Sequence, residues 1–149
     1  MPARGLAHCL ILTDKLEETK NFYVDVVGLV VGPRPFAPPG YWLYAGDLAV
    51  IHLAGFDNPA AGPAVDRTPA LSRHPARHMR SVEHIAFKFE GYEDLAARVE
   101  RLGLQVFERP VNHTREHQFF LTDPNGVGIE LNFDLDAIAH GSKFKERNP

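Results

Sequence analysis

The feature that most constrains this chain is that it reads as two copies of one pattern. In the first half, Leu6 to Thr13 (LAHCLILT) predicts a strand. Asp14, with Glu17 three residues on, forms a variant of the capping box and predicts a helix start. Leu16, Phe22, Tyr23, Val26 and Val27 follow at roughly helical spacing, and Gly28 stands where a helix-ending glycine belongs. Three strand-like runs come next, Leu29 to Arg34, Tyr41 to Ala45 and Leu48 to Ala54, with Gly46-Asp47 as a tight turn.

The second half repeats this order. Val82 to Phe89 (VEHIAFKF) predicts a strand and Tyr92 to Leu102 a helix, with Leu95, Val99 and Leu102 on one face and Gly103 past its end. Strands are expected at Leu104 to Glu108, His117 to Thr122 and Val127 to Phe133, the last two joined by the turn Asp123-Pro124-Asn125-Gly126. Each half is therefore β-α-β-β-β, and the fold class is α+β.

The expected organisation is a single domain over 1–149. It has a first module at about 5–54, a linker at 55–80, a second module at about 81–134 and a tail at 135–149. Pro59, Pro63, Pro69 and Pro75 mark the linker. A short helix is expected at Leu135 to His140, in the tail.

Strand residues alternate faces, so each strand has a side for the helix and a side away from it. On the first strands, Cys9 and Ile11, and Ile85, Phe87 and Phe89, suit the helix. His8 and His84 fall opposite. On the last strands, Ile51 and Leu53, and Ile129, Leu131 and Phe133, suit the helix; His52 and Glu130 fall opposite. Each half thus places one ligand-type side chain on its first strand and one on its last. A lone histidine on a strand is ordinarily a satisfied polar residue. A carboxylate between Ile129 and Leu131 needs a partner or a metal. Four such residues at repeat-equivalent places point to one divalent metal held by His8, His52, His84 and Glu130. Three imidazoles and a carboxylate suit Fe, Ni, Zn, Mn or Co, and suit the oxygen-seeking Ca and Mg poorly.

Charge narrows the partners. The net charge of −3 and the absence of a basic run argue against nucleic acid. Cys9 is the sole cysteine, so no intramolecular disulfide forms. No apolar run nears membrane-spanning length and the first residues lack a signal-peptide pattern, so a cytoplasmic protein is expected.

The stretches HCLILTDKLEETKNFYVDVVGL, AVIHLAG, VEHIAFKF and FFLTDPNGVGIELNF resemble the glyoxalase/bleomycin-resistance/extradiol-dioxygenase superfamily, the vicinal oxygen chelate group. The resemblance implies two paired βαβββ modules in a cupped mixed sheet around a divalent metal. It also implies a small substrate that chelates the metal through neighbouring oxygens, and a homodimer. The family's ligand positions carry over to His8, His52, His84 and Glu130.

Of the reactions the resemblance allows, a lyase or isomerase that shuttles a proton is favoured, with Glu130 and His52 as catalytic candidates. The pattern resembling AVIHLAG in glyoxalase I carries Glu or Gln where this chain has His52, which argues against a glutathione-dependent lactoylglutathione lyase. An extradiol dioxygenase using Fe(II) on His8, His84 and Glu130 is the alternative. Its usual tyrosine is replaced by Phe120, counted through the turn to lie opposite Glu130. His113 or His117 is a candidate acid–base histidine for it. Thiol transfer to a phosphonate lacks a clear Lys/Arg/Ser cluster beyond Arg115 and Lys88. A non-catalytic drug-binding module is the remaining alternative. Tyr41, Trp42, Phe120, His117 and Arg115 are expected to contact substrate, with Tyr41 as the cross-strand neighbour of His52 and with Tyr44 and Phe36 as further wall candidates.

Overall fold

The structure is a computed structural model that describes residues 5–35, 39–55, 84–138 and 144. The chain divides into two compact units, Met1–Pro75 and Ala76–Pro149.

In the first unit, β1 (Cys9–Leu12), α1 (Leu16–Asp25), β2 (Val30–Gly32), β3 (Gly40–Ala45) and β4 (Leu48–Ala54) follow in order. The sheet order is β1-β4-β3-β2. β1 runs parallel to β4, and the other pairs are antiparallel. Helix α1 packs on β3 and β4. Tyr23, Leu43, Ile51 and Leu53 are buried between helix and sheet. Each such side chain contributes about 1.5–3 kcal/mol relative to an exposed one.

The start of α1 differs from expectation. Lys15 is the N-cap, and no side chain caps the helix. The Lys15 backbone N–H instead donates to the Thr13 hydroxyl at 2.9 Å, and that hydroxyl lies 3.3 Å from the buried Thr19 hydroxyl. Glu17 is drawn outward to Lys20 and Tyr41. The helix ends as expected, with Gly28 at φ +81° and the Leu29 N–H donating to the Tyr23 carbonyl.

The second unit repeats the arrangement with β5 (His84–Lys88), α2 (Tyr92–Leu102), β6 (Phe107–Val111), β7 (Glu116–Thr122) and β8 (Gly128–Asp134). Its sheet order is β5-β8-β7-β6, again with only the first and last strands parallel. Tyr92, Leu95, Ala96 and Val99 form the buried stripe of α2. Tyr92 meets Phe119 and Phe133 edge to face. The fold is α+β, two four-stranded mixed sheets with a helix each.

Strand β6 starts and ends three residues later than expected and carries Pro110, paired with His117. It is an edge strand, where a missing backbone donor is tolerated. The expected tail helix is a single 3-10 turn, Leu135–Ala137, capped by the Asp134 side chain accepting from the Asp136 N–H. Its expected end at His140 lies outside the described residues, as do Phe36, the linker from residue 56 to 80 and the first two residues of the strand expected from Val82. Among the described residues no helix is long and apolar enough to cross a membrane.

Candidate metal centre

In the first unit, the parallel pair sets Leu10 opposite His52. His8 lies two residues before Leu10, on the same face. The rings of His8 and His52 stack, with centroids 3.8 Å apart and planes at 14°. From the antiparallel side, Trp42 is opposite His52 and stacks on it at 4.1 Å and 8°. His52 is thus in ring contact with residues from both neighbouring strands. Burial pushes its imidazole below the ordinary histidine value. Positive charge on His8 and Arg34 acts the same way, against a hydrogen bond with the Ala49 backbone. The neutral imidazole is the form that ligates a metal.

The second unit builds the same geometry. Ala86 is opposite Glu130 in the parallel pair, and His84 lies two residues before Ala86. His84 Nε2 is 3.1 Å from Glu130 Oε2. Phe120 is opposite Glu130 from the antiparallel side, as expected, and Phe107 is opposite Phe120. The two phenyl rings stack at 4.8 Å and 13°. The row Leu10, His52, Trp42, Gly32 therefore corresponds to the row Ala86, Glu130, Phe120, Phe107.

Glu130 is only 7% exposed, so its charge requires support. Gln118 Nε2 donates to Glu130 Oε1 at 2.9 Å, leaving Oε2 to His84. Arg109 Nε donates to Gln118 Oε1 at 2.8 Å and fixes which way the amide points. Sequence reasoning missed both residues. Gln118 shares a face with Phe120, two residues away, and that parity was the available signal. Arg109 fell outside the expected limits of its strand.

One pair, His84 and Glu130, passes a simple test for a metal; the His8 and His52 rings, stacked 3.8 Å apart and near parallel, share no point in both ring planes and would have to turn to hold one ion. Two ligands each about 2.0–2.2 Å from one ion stand about 2.8–3.6 Å apart at octahedral to tetrahedral angles. The 3.1 Å between His84 Nε2 and Glu130 Oε2 lies in that span. The structure gathers the four expected ligands in twos, and among the described residues no group of three or more His, Cys, Asp or Glu suited to a metal is formed.

Several residues expected at the substrate lie elsewhere. Tyr41 is opposite Leu53, not His52, because a bulge leaves Val50 unpaired and shifts the ladder by one residue. Its hydroxyl donates to Glu17 on the helix side. His117 is buried on the helix face of β7, with Nε2 2.7 Å from Glu108 Oε2. Tyr92 donates to the same carboxylate. Arg115 has a positive φ of 54° and pairs with Asp136, which raises its pKa. Tyr44 donates to the Pro33 carbonyl, and its ring lies over Gly32.

The profile of the Glyoxalase/Bleomycin resistance protein/Dioxygenase superfamily matches residues 5–131. The chain is 28% identical over 131 residues to Glyoxylase I 4 of Arabidopsis thaliana, covering 85% of this chain and 69% of that protein. Its fold is similar to the lactoylglutathione lyase of Agrobacterium tumefaciens (TM-score 0.58, 17% identity, 89% of this chain and 96% of the other). It is also similar to TnmS3, an antibiotic-binding protein from a Streptomyces species (TM-score 0.59, 19% identity, 90% and 98%). With a repeated βαβββ unit, repeat-equivalent ligand-type residues and a profile match across both halves, this chain belongs to the Glyoxalase/Bleomycin resistance protein/Dioxygenase superfamily.

Proposed function

We propose that the protein is a metal-dependent lyase or isomerase acting on a small molecule that offers neighbouring oxygens. His8, His52, His84 and Glu130 are the ligands of one divalent ion in this reading. Its main support is the register: in each unit the last-strand residue meets the residue two places before its parallel partner, His8 just ahead of β1 and His84 at the start of β5. Members of this superfamily commonly bind a divalent metal. When bound, the ion supplies Lewis acidity toward the substrate oxygens.

The chain's own groups do the rest. Glu130 is the group proposed to accept and return a proton; Gln118 holds its Oε1, so Oε2 would serve either the ion or the proton and not both at once. Neutral His52, backed by Trp42, is the second candidate to hold a proton. Trp42 and Phe120 stand at equivalent register positions, each beside its own unit's ligand-type residues, and are the proposed apolar walls. The working form is proposed to be a homodimer.

A binding module without catalysis is the second reading, favoured by the stacked faces of Trp42 with His52 and Phe107 with Phe120. Elemental analysis by mass spectrometry of anaerobically purified protein separates the readings. Near-stoichiometric Ni, Zn, Co or Mn, lost in both His52→Ala and His84→Ala, supports the proposal. Iron kept by His52→Ala and lost by His84→Ala redirects it to ring-cleaving oxygenase chemistry. No metal after reconstitution replaces it with the binding module.

A further inference from the structure

Arg109 is an exposed side chain on β6, yet two contacts hold it. Its Nε donates to Gln118. Its guanidinium carbon sits 5.3 Å from the centre of the Phe120 ring. Phe120 in turn stacks on Phe107. A guanidinium pinned at Nε and laid over a ring keeps a defined plane, so its outer edge is already oriented. The two Nη groups on that edge have no hydrogen-bond partner among the described residues. They border an open groove of about 700 Å3 lined also by Val111, Asn112, Thr114 and Gln118. Glu116 lines the groove too, but Lys88 pairs with it.

We propose that the Nη edge of Arg109 is a binding site for a carboxylate on a small ligand. The fork of two parallel N–H donors matches the two oxygens of a carboxylate, which a single ammonium does not. The Phe107–Phe120 stack supports the guanidinium from its ring side and does not line the groove. Through Gln118, the same guanidinium is one hydrogen-bonded step from Glu130. The carboxylate is therefore the anchoring end of the substrate and the neighbouring oxygens its reacting end. That assignment to the substrate rests on the metal-enzyme reading; the anion site itself does not.

The test uses full-length protein stripped of metal with a chelator, so that no ion competes for the probe. Sodium benzoate is titrated at constant ionic strength, by calorimetry and by following the Arg109 Nε–Hε signal in nitrogen-edited NMR. Benzamide is the uncharged control. Benzoate is expected to bind at one site and move that signal, and benzamide is not. Arg109→Ala is expected to weaken benzoate by about tenfold or more, and Arg109→Lys to fail to restore it. An unchanged amide spectrum in both variants establishes that they are folded. Equal binding of benzoate and benzamide, undiminished binding by Arg109→Ala, or no benzoate binding at all overturns the site. Repeating the titration after metal addition, with metal content measured separately, shows which of the two proposals has failed.

Discussion

Trp42 and His52 lie ring on ring across β3 and β4, 4.1 Å apart and within 8° of parallel. Trp42 is the chain's single tryptophan, so the protein's tryptophan fluorescence comes from this stack. Burial lowers the His52 pKa from its ordinary value of 6.5, so the ring is neutral at pH 7 and charges only on acidification. Charging converts the stack into a cation–ring contact, and the expected result is quenching with a midpoint below pH 6.5. The His52→Ala variant is expected to lose this transition. Because the folded protein resists protonation here, the stability linked to His52 is complete above the unfolded value. It is lost as pH falls through the folded one.

Gln118 holds one oxygen of Glu130. Replacing it by Leu removes that hydrogen bond and leaves the carboxylate free to rotate. The expected effect is a metal affinity about 10- to 100-fold weaker, with the thermal transition of the metal-free protein little changed. Competition with a fluorescent chelator measures it.

The buried network on the other face of the second sheet predicts the opposite profile. Glu108 is fully buried and accepts from Tyr92 and from the Phe144 backbone, with His117 at 2.7 Å. Tyr92→Phe withdraws one donor from a carboxylate that cannot reach water. A loss of about 1–3 kcal/mol in urea unfolding is expected, with metal content unchanged.

Phe119 and Phe120 are neighbours in sequence but face opposite sides of β7. Phe119 is fully buried among Tyr92, Phe133 and Phe144, so Phe119→Ala is expected to cost about 3–5 kcal/mol. Phe120→Ala is expected to cost less in urea unfolding and to weaken benzoate binding, which Phe119→Ala variants that remain folded do not.

The repeat, the helices and the face of each ligand-type residue were legible because alternation and helical spacing survive in single sequences. Phe120 was placed opposite Glu130 by counting through the Asp123–Gly126 turn, and an unbroken ladder bears the count out. The same count through Gly46-Asp47 failed at Tyr41, because the bulge at Val50 has no marker in the residue types. His117 was expected at the substrate, at the start of its strand. Its buried position depends on Glu108, nine residues away, being buried with it. Arg109 lay one residue past the expected end of its strand at Glu108, so it was assigned no face, whereas the strand runs on through Pro110 at the sheet edge.

The parallel pairing of the first and last strand in each unit has a consequence for the order of assembly. Helix α1 and the β3–β4 hairpin close short loops and can form early, whereas β1 must find β4 across nearly the whole unit. The meeting of His8 with His52, and of His84 with Glu130, therefore spans the long loop that the parallel pairing closes in each unit. A ligand that needs both members of a pair binds only the closed chain, and by mass action it acts as a clasp on that closure.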